Sequence, residues 1–104
     1  MTFANVTAAQ LRKTRLLLKM TQKEFAEATG SSIGIVAGWE CGRNKPSLYH
    51  LSRVAELMVK ASVIDRQYKA KANELYNTAI ANGASEKDAK AMKFALYDKL
   101  IGNN

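Results

Sequence analysis

Residues 21–47, TQKEFAEATGSSIGIVAGWECGRNKPS, leave the chain few choices of fold. The start and stop signals of two short helices stand only a few residues apart there. Thr21 and Glu24 have capping-box spacing, in which the threonine hydroxyl accepts from the Glu24 amide and the glutamate reaches back. That predicts a helix over Gln22–Thr29 with Phe25, Ala26 and Ala28 on or near its inner side. Gly30 ends it, because glycine adopts the left-handed conformation that a helix C-terminus often needs. Ser32 caps a second helix over about residues 32–41, which carries Ile35, Val36 and Trp39. A core built on a short helix, a glycine turn and a second helix is small, buries a limited fraction of its surface and is marginal alone.

The flanking sequence supplies further helices. Residues 7–18 read as a first helix with Thr7 as its cap and Leu11, Arg15 and Leu18 on one face. Residues 42–45 form a loop, Pro46 ends any preceding helix, and Ser47 caps a fourth over residues 48–60. Leu48, Leu51, Val54, Ala55 and Met58 make its expected inner stripe. Beyond it, Ser62 and Asp65 resemble another capping box. They open a helix to about Ala81 with Ile64, Tyr68, Leu75 and Ala79 as its stripe. Asn82-Gly83 breaks it, and Ser85 with Asp88 starts a last helix to Ile101. In that helix Ala89, Met92, Leu96 and Leu100 lie on one face, and Phe94, Tyr97 and Ile101 on another. Two apolar faces exceed what one neighbouring helix covers, and a large exposed patch marks an interaction surface. The expectation is a helical hairpin that packs on the core and makes a homodimer, with Phe94, Tyr97 and Ile101 as the dimer or partner interface.

From Leu11 to Leu57 the sequence resembles the lambda-repressor-like (Cro and repressor) helix-turn-helix family. The resemblance is carried in register by Arg15, Thr21-Gln22, Glu24, Ala26, Gly30, Ser32, Val36, Trp39-Glu40, Gly42, Pro46 and Leu51. It implies an all-α fold: a lambda-repressor-like helix-turn-helix bundle, here with a C-terminal helical hairpin. It marks residues 1–60 as a DNA-binding domain; the tail, residues 61–104, is not part of it and reads from its own helix faces as an element for dimerisation or partner binding. The resemblance also implies that Arg15 and Glu40 form a structural ion pair, that Val36 and Trp39 face inward, and that the third helix enters the major groove of double-stranded DNA. Gln22 and Lys23 at the start of the second helix, Ser32 at the start of the third, and the loop Arg43, Asn44 and Lys45 would meet phosphates.

At the base-reading positions the sequence departs from the family. The outward positions usually hold polar side chains that hydrogen-bond base edges. Here they are Ile33, Gly34, Ala37 and Gly38, and the two glycines weaken the helix by up to ~1 kcal/mol each relative to alanine. Three readings stay open. Ile33 and Ala37 touch thymine methyls while the glycines allow close approach. Specificity comes from DNA shape and flanking contacts. Or the apolar surface binds a protein, a toxin partner among the candidates.

Charge supports nucleic acid. The formal net charge is +7, and residues 1–60 hold nine Lys/Arg against four Asp/Glu. A basic surface favours phosphate through counterion release. Nothing points to catalysis: His50, the one histidine, has no cysteine or acidic motif beside it, and no metal-ligand or phosphate-loop spacing is present. No cofactor or metal is expected. Cys41 is the single cysteine, which excludes an internal disulfide and fits a reducing cytoplasm; it reads as a tolerated small residue rather than a redox switch. The first residues, MTFANVTAAQLRK, lack a secretory pattern, and no apolar run is long enough to span a membrane.

Overall fold

A computed structural model describes residues 6–102. Residues 1–5, which form part of the expected non-secretory start, and the last two asparagines lie outside the described residues. The described residues form five helices and no strand: α1 (Ala8–Leu17), α2 (Gln22–Thr29), α3 (Ile33–Glu40), α4 (Leu48–Ala81) and α5 (Glu86–Ile101). None of these helices is long and apolar enough to cross a membrane.

The helix starts are local chemistry. Thr7 and Gln10 form a full capping box on α1, and Thr21 and Glu24 one on α2. Ser32 accepts from the Ile35 amide, and Ser85 from the Asp88 amide. Gly30 closes α2 in the left-handed region (φ 74), where a side chain would be strained. The Thr21 N–H donates to the Glu24 carboxylate at 2.9 Å, and together with the threonine hydroxyl it holds the Glu24 carboxyl below the ordinary glutamate range.

The chain divides into two compact units, one through Ser62 and one from Val63. The core of the first unit joins Val6, Leu11, Phe25, Ala26, Val36, Trp39, Val54 and Leu57, with Leu18, Met20, Ala28 and Met58 packed against it. Phe25, Val36 and Val54 are fully buried. In the second unit α5 runs antiparallel to the later part of α4. The Tyr97 hydroxyl donates to the Asp65 carboxylate, and the Lys93 ammonium lies 5.6 Å from the centre of the Tyr76 ring. The buried positions of this unit are Ala72, Ala79, Ala89 and Ile101. Burial, and then the bond to Asp65, push the Tyr97 hydroxyl well above the usual tyrosine value.

Three expectations are corrected. The helix expected over residues 48–60 and the one expected from Ser62 are a single α4 of 34 residues. Neither glycine nor proline interrupts it, and the Ser62 hydroxyl donates back to the Val59 carbonyl at 2.7 Å, as a serine inside a helix does. Leu48 is 87 % exposed rather than inward, because the inward line of α4 passes through Val54, Leu57 and Ala61 at i, i+3 and i+7. In α5 Met92 is exposed, whereas Ile101 is already buried by its own chain.

Two measurements check these local accounts. Ser62→Ala should leave urea stability unchanged or raise it by up to about 0.5 kcal/mol, since alanine is the better helix former; a loss near 1 kcal/mol would restore Ser62 as a cap. Glu24 has a folded-state pKa below its unfolded value, so its stabilisation is present above the unfolded value and lost as pH falls through the folded one. The stability difference between the wild type and Glu24→Gln should therefore be full at neutral pH and shrink steadily as the solution is acidified below about pH 4.5.

Candidate nucleic-acid interface

The site begins with a frame. Arg15 on α1 donates through Nε to Glu40 Oε2 at 2.7 Å and through Nη2 to Glu40 Oε1 at 2.9 Å. Its remaining Nη1 donates to the Met20 carbonyl at 3.1 Å, just before α2 begins. The side chains are only 13 % and 7 % exposed, so solvent does little to screen the pair. Gln22 joins it from α2, its Nε2 lying 3.5 Å from Glu40 Oε1. One carboxylate at the end of α3 thus gathers groups from α1 and α2. The Gln22 amide, expected at a phosphate, is turned toward Glu40 and half-buried.

On this frame Val36 and Trp39 hold α3 to the core, with Trp39 at 2 % exposure. The Trp39 ring meets His50 edge-on, with centroids 5.3 Å apart, and His50 Nδ1 lies 3.1 Å from the Ser47 hydroxyl. His50 is therefore half-buried and occupied in fixing the entry to α4. The opposite side of α3 presents Ile33, which is 54 % exposed, and Gly34, with Ala37 half-buried beside them. Ile35 also shows 40 % of its surface. Ser32 is exposed at the start of α3 and Lys23 in the first turn of α2.

Gly38 is a correction. Placed outward in the sequence, it is buried, because the loop after α3 folds back over it. Its carbonyl accepts from the amides of Arg43 at 2.9 Å and Asn44 at 3.2 Å. A Cβ at this position would stand 2.8 Å from Asn44 Nδ2 and 3.3 Å from Arg43 Nη2. The polar loop is therefore not separate from α3: it lies on the helix. Pro46 is buried at the far end of the loop, while Arg43, Asn44 and Lys45 remain exposed.

Arg53 was not singled out in the sequence. From α4 its guanidinium reaches Gly30, at the turn before α3, and lies 5.9 Å from the centre of the Tyr49 ring. The i, i+4 spacing of Tyr49 and Arg53 on a helix is the signal that could have found it. Lys23, Arg43, Lys45 and Arg53 are all exposed in the first unit, and of these Arg43 lies against α3 at Gly38. Cys41 is exposed, and its thiol donates to the Gly38 carbonyl at 3.4 Å. Among the described residues no group of three or more His, Cys, Asp or Glu is placed to hold a metal ion.

Of the expected interface residues in the second unit, Phe94 is 59 % exposed, Tyr97 is half-buried and bonded to Asp65, and Ile101 is 5 % exposed. Phe94 and Tyr97 border a groove of about 310 Å³ lined also by Lys69, Ala72, Asn73 and Lys93.

Residues 11–58 match the model of the family described as helix-turn-helix. No curated protein and no solved structure matches the chain.

Removing one partner of the Arg15–Glu40 pair leaves a buried charge uncompensated. Arg15→Ala or Glu40→Ala should each cost about 3–5 kcal/mol in urea unfolding, enough to unfold much of a small domain. The double variant Arg15→Met/Glu40→Leu should lose less than either single one, because no charge is stranded.

Proposed function

We propose that this chain, whose residues 11–58 match the helix-turn-helix family model, is a lambda-repressor-like, sequence-specific regulator of transcription that binds double-stranded DNA. It acts as a dimeric repressor in a phage, mobile-element or toxin–antitoxin type of operon, at the DNA of a bacterial cytoplasm. The observation that carries this reading is the cationic loop, Arg43 to Lys45, held against the exposed side of α3 through the Gly38 carbonyl. A ridge of Ile33, Gly34 and Ala37 is slim enough to enter a major groove and meets thymine methyls, while Lys23, Ser32 and Lys45 meet the phosphates on either side. Covering a promoter would then repress it.

Dimerisation is assigned to the second unit. Phe94 is, with Met92, a large exposed apolar side chain of α5, and Asp98 stands one turn beyond Phe94. In a two-fold pair, Phe94 of each copy would enter the groove of the other, bringing Asp98 near the lysines that border it. Two recognition helices would then reach successive major grooves of an inverted repeat, about one helical turn apart.

The alternative is a protein-interaction module on the same scaffold. The 54 % exposure of Ile33 favours it, because a partner helix could cover that ridge.

A mobility-shift titration decides between them. The full chain is titrated against DNA from upstream of its own gene and against an unrelated duplex, at low and moderate salt. Selective binding that weakens steeply with salt is the expected result. Lys45→Ala should weaken all duplexes alike, and Ala37→Glu should abolish binding. Absence of binding to either duplex would transfer the assignment to the protein-interaction module. In light scattering, Phe94→Glu should be a monomer with much weaker operator binding; an unchanged dimer would remove the second unit from this role.

A further inference from the structure

The exposed side of α3 contains no hydrogen-bonding side chain, yet the structure does not leave it without hydrogen-bonding groups. Gly34 and Gly38 are four residues apart and so share one line along the helix. At Gly34 the position of a Cβ has nothing within 4 Å. At Gly38 the equivalent space is filled from outside the helix, by Asn44 Nδ2 at 2.8 Å and by Arg43 Nη2 and Nε at 3.3 Å and 3.6 Å. The side chains are brought there by their own backbone, since the Arg43 and Asn44 amides both donate to the Gly38 carbonyl. The chain reverses for this at Gly42, whose φ is 81. Pro46, buried, anchors the loop beyond. Both side chains stay exposed on their outer sides.

We infer that Arg43 and Asn44 read base edges, supplying from the loop the hydrogen bonds that α3 itself lacks. A guanidinium matches the two acceptors of guanine, N7 and O6, and a carboxamide matches the acceptor and donor of adenine, N7 and the N6 amino group. Gly38 is the positioning residue: its missing side chain is the space in which these two groups rest. Gly34, open to solvent, lets the helix backbone sit close to the groove floor, which brings the loop groups within reach of the bases. On this account the apolar ridge and the glycines are one arrangement. Phosphate contact is left to Lys23, Ser32 and Lys45. The inference rests on the DNA-binding reading and assigns where its sequence preference comes from.

The test uses the full chain. A site is enriched from a random duplex pool, and affinities are measured for every single-base-pair variant of that site, at two salt concentrations. Arg43→Lys keeps the charge but loses the planar fork. It should lose preference at one G·C pair by roughly tenfold to hundredfold while keeping the salt slope. Asn44→Ala should lose preference by a similar factor at one A·T pair. Gly38→Ala displaces the carboxamide and should flatten preference at both pairs, with helix content retained by circular dichroism. If Gly38→Ala fails to fold, the two loop variants carry the test alone. Equal weakening of all site variants by Arg43→Lys and Asn44→Ala would overturn the inference and leave DNA binding standing. Failure of the wild-type chain to enrich any site would overturn both.

Discussion

Glu40 is the carboxylate on which the first unit is assembled. It takes two hydrogen bonds from Arg15 on α1 and lies beside Gln22 on α2, while Arg15 also holds the Met20 carbonyl between those helices. In a 62-residue unit the apolar core is small and buries a limited fraction of the surface. A planar guanidinium against a planar carboxylate has one good geometry, so the pair sets a direction that hydrophobic contact does not. Its value lies less in net stability, since desolvating both charges offsets most of their attraction, than in fixing how α3 leaves the core.

With α3 fixed, its two sides divide the work. Val36 and Trp39 are committed to the interior, and His50 closes over Trp39 from α4. The other side keeps only Ile33, Gly34 and Ala37, and the loop then lies across Gly38. The helix gives up stability at two glycines, and what it gains is room: one glycine leaves open space, the other a bed for two polar side chains. The apolar character of α3 and the polar character of residues 43–45 are two halves of one surface.

The second unit obeys a different economy. Its buried positions are mainly alanines, which remove little apolar area from water. The Tyr97–Asp65 hydrogen bond and the Lys93–Tyr76 contact supply orientation in place of a large core. Met92 and Phe94 remain outside.

The helix ends were legible in the sequence because they are decided within a few residues. Thr7, Thr21, Ser32 and Ser85 cap where their hydroxyls reach the next free amides, and Gly30 stops α2 for want of a Cβ. The all-α class and the inward place of Phe25 followed from the same short-range patterns, and the inward places of Val36 and Trp39 from the family resemblance. What needed tertiary structure was every choice between two local options of similar cost. Ser62 could cap or bond back, and the uninterrupted helix took the second. Leu48 matched a helical stripe, but the inward line of α4 runs through Val54, Leu57 and Ala61, and Leu48 lies off it in water. Gly38 stood on the outward arc of an isolated helix, and only the return of Arg43 and Asn44, through bonds to a carbonyl five and six residues back, turned that position into an interior one. Capping is written in adjacent residues; the covering of a face depends on where distant backbone comes to rest, and one sequence window does not contain that information.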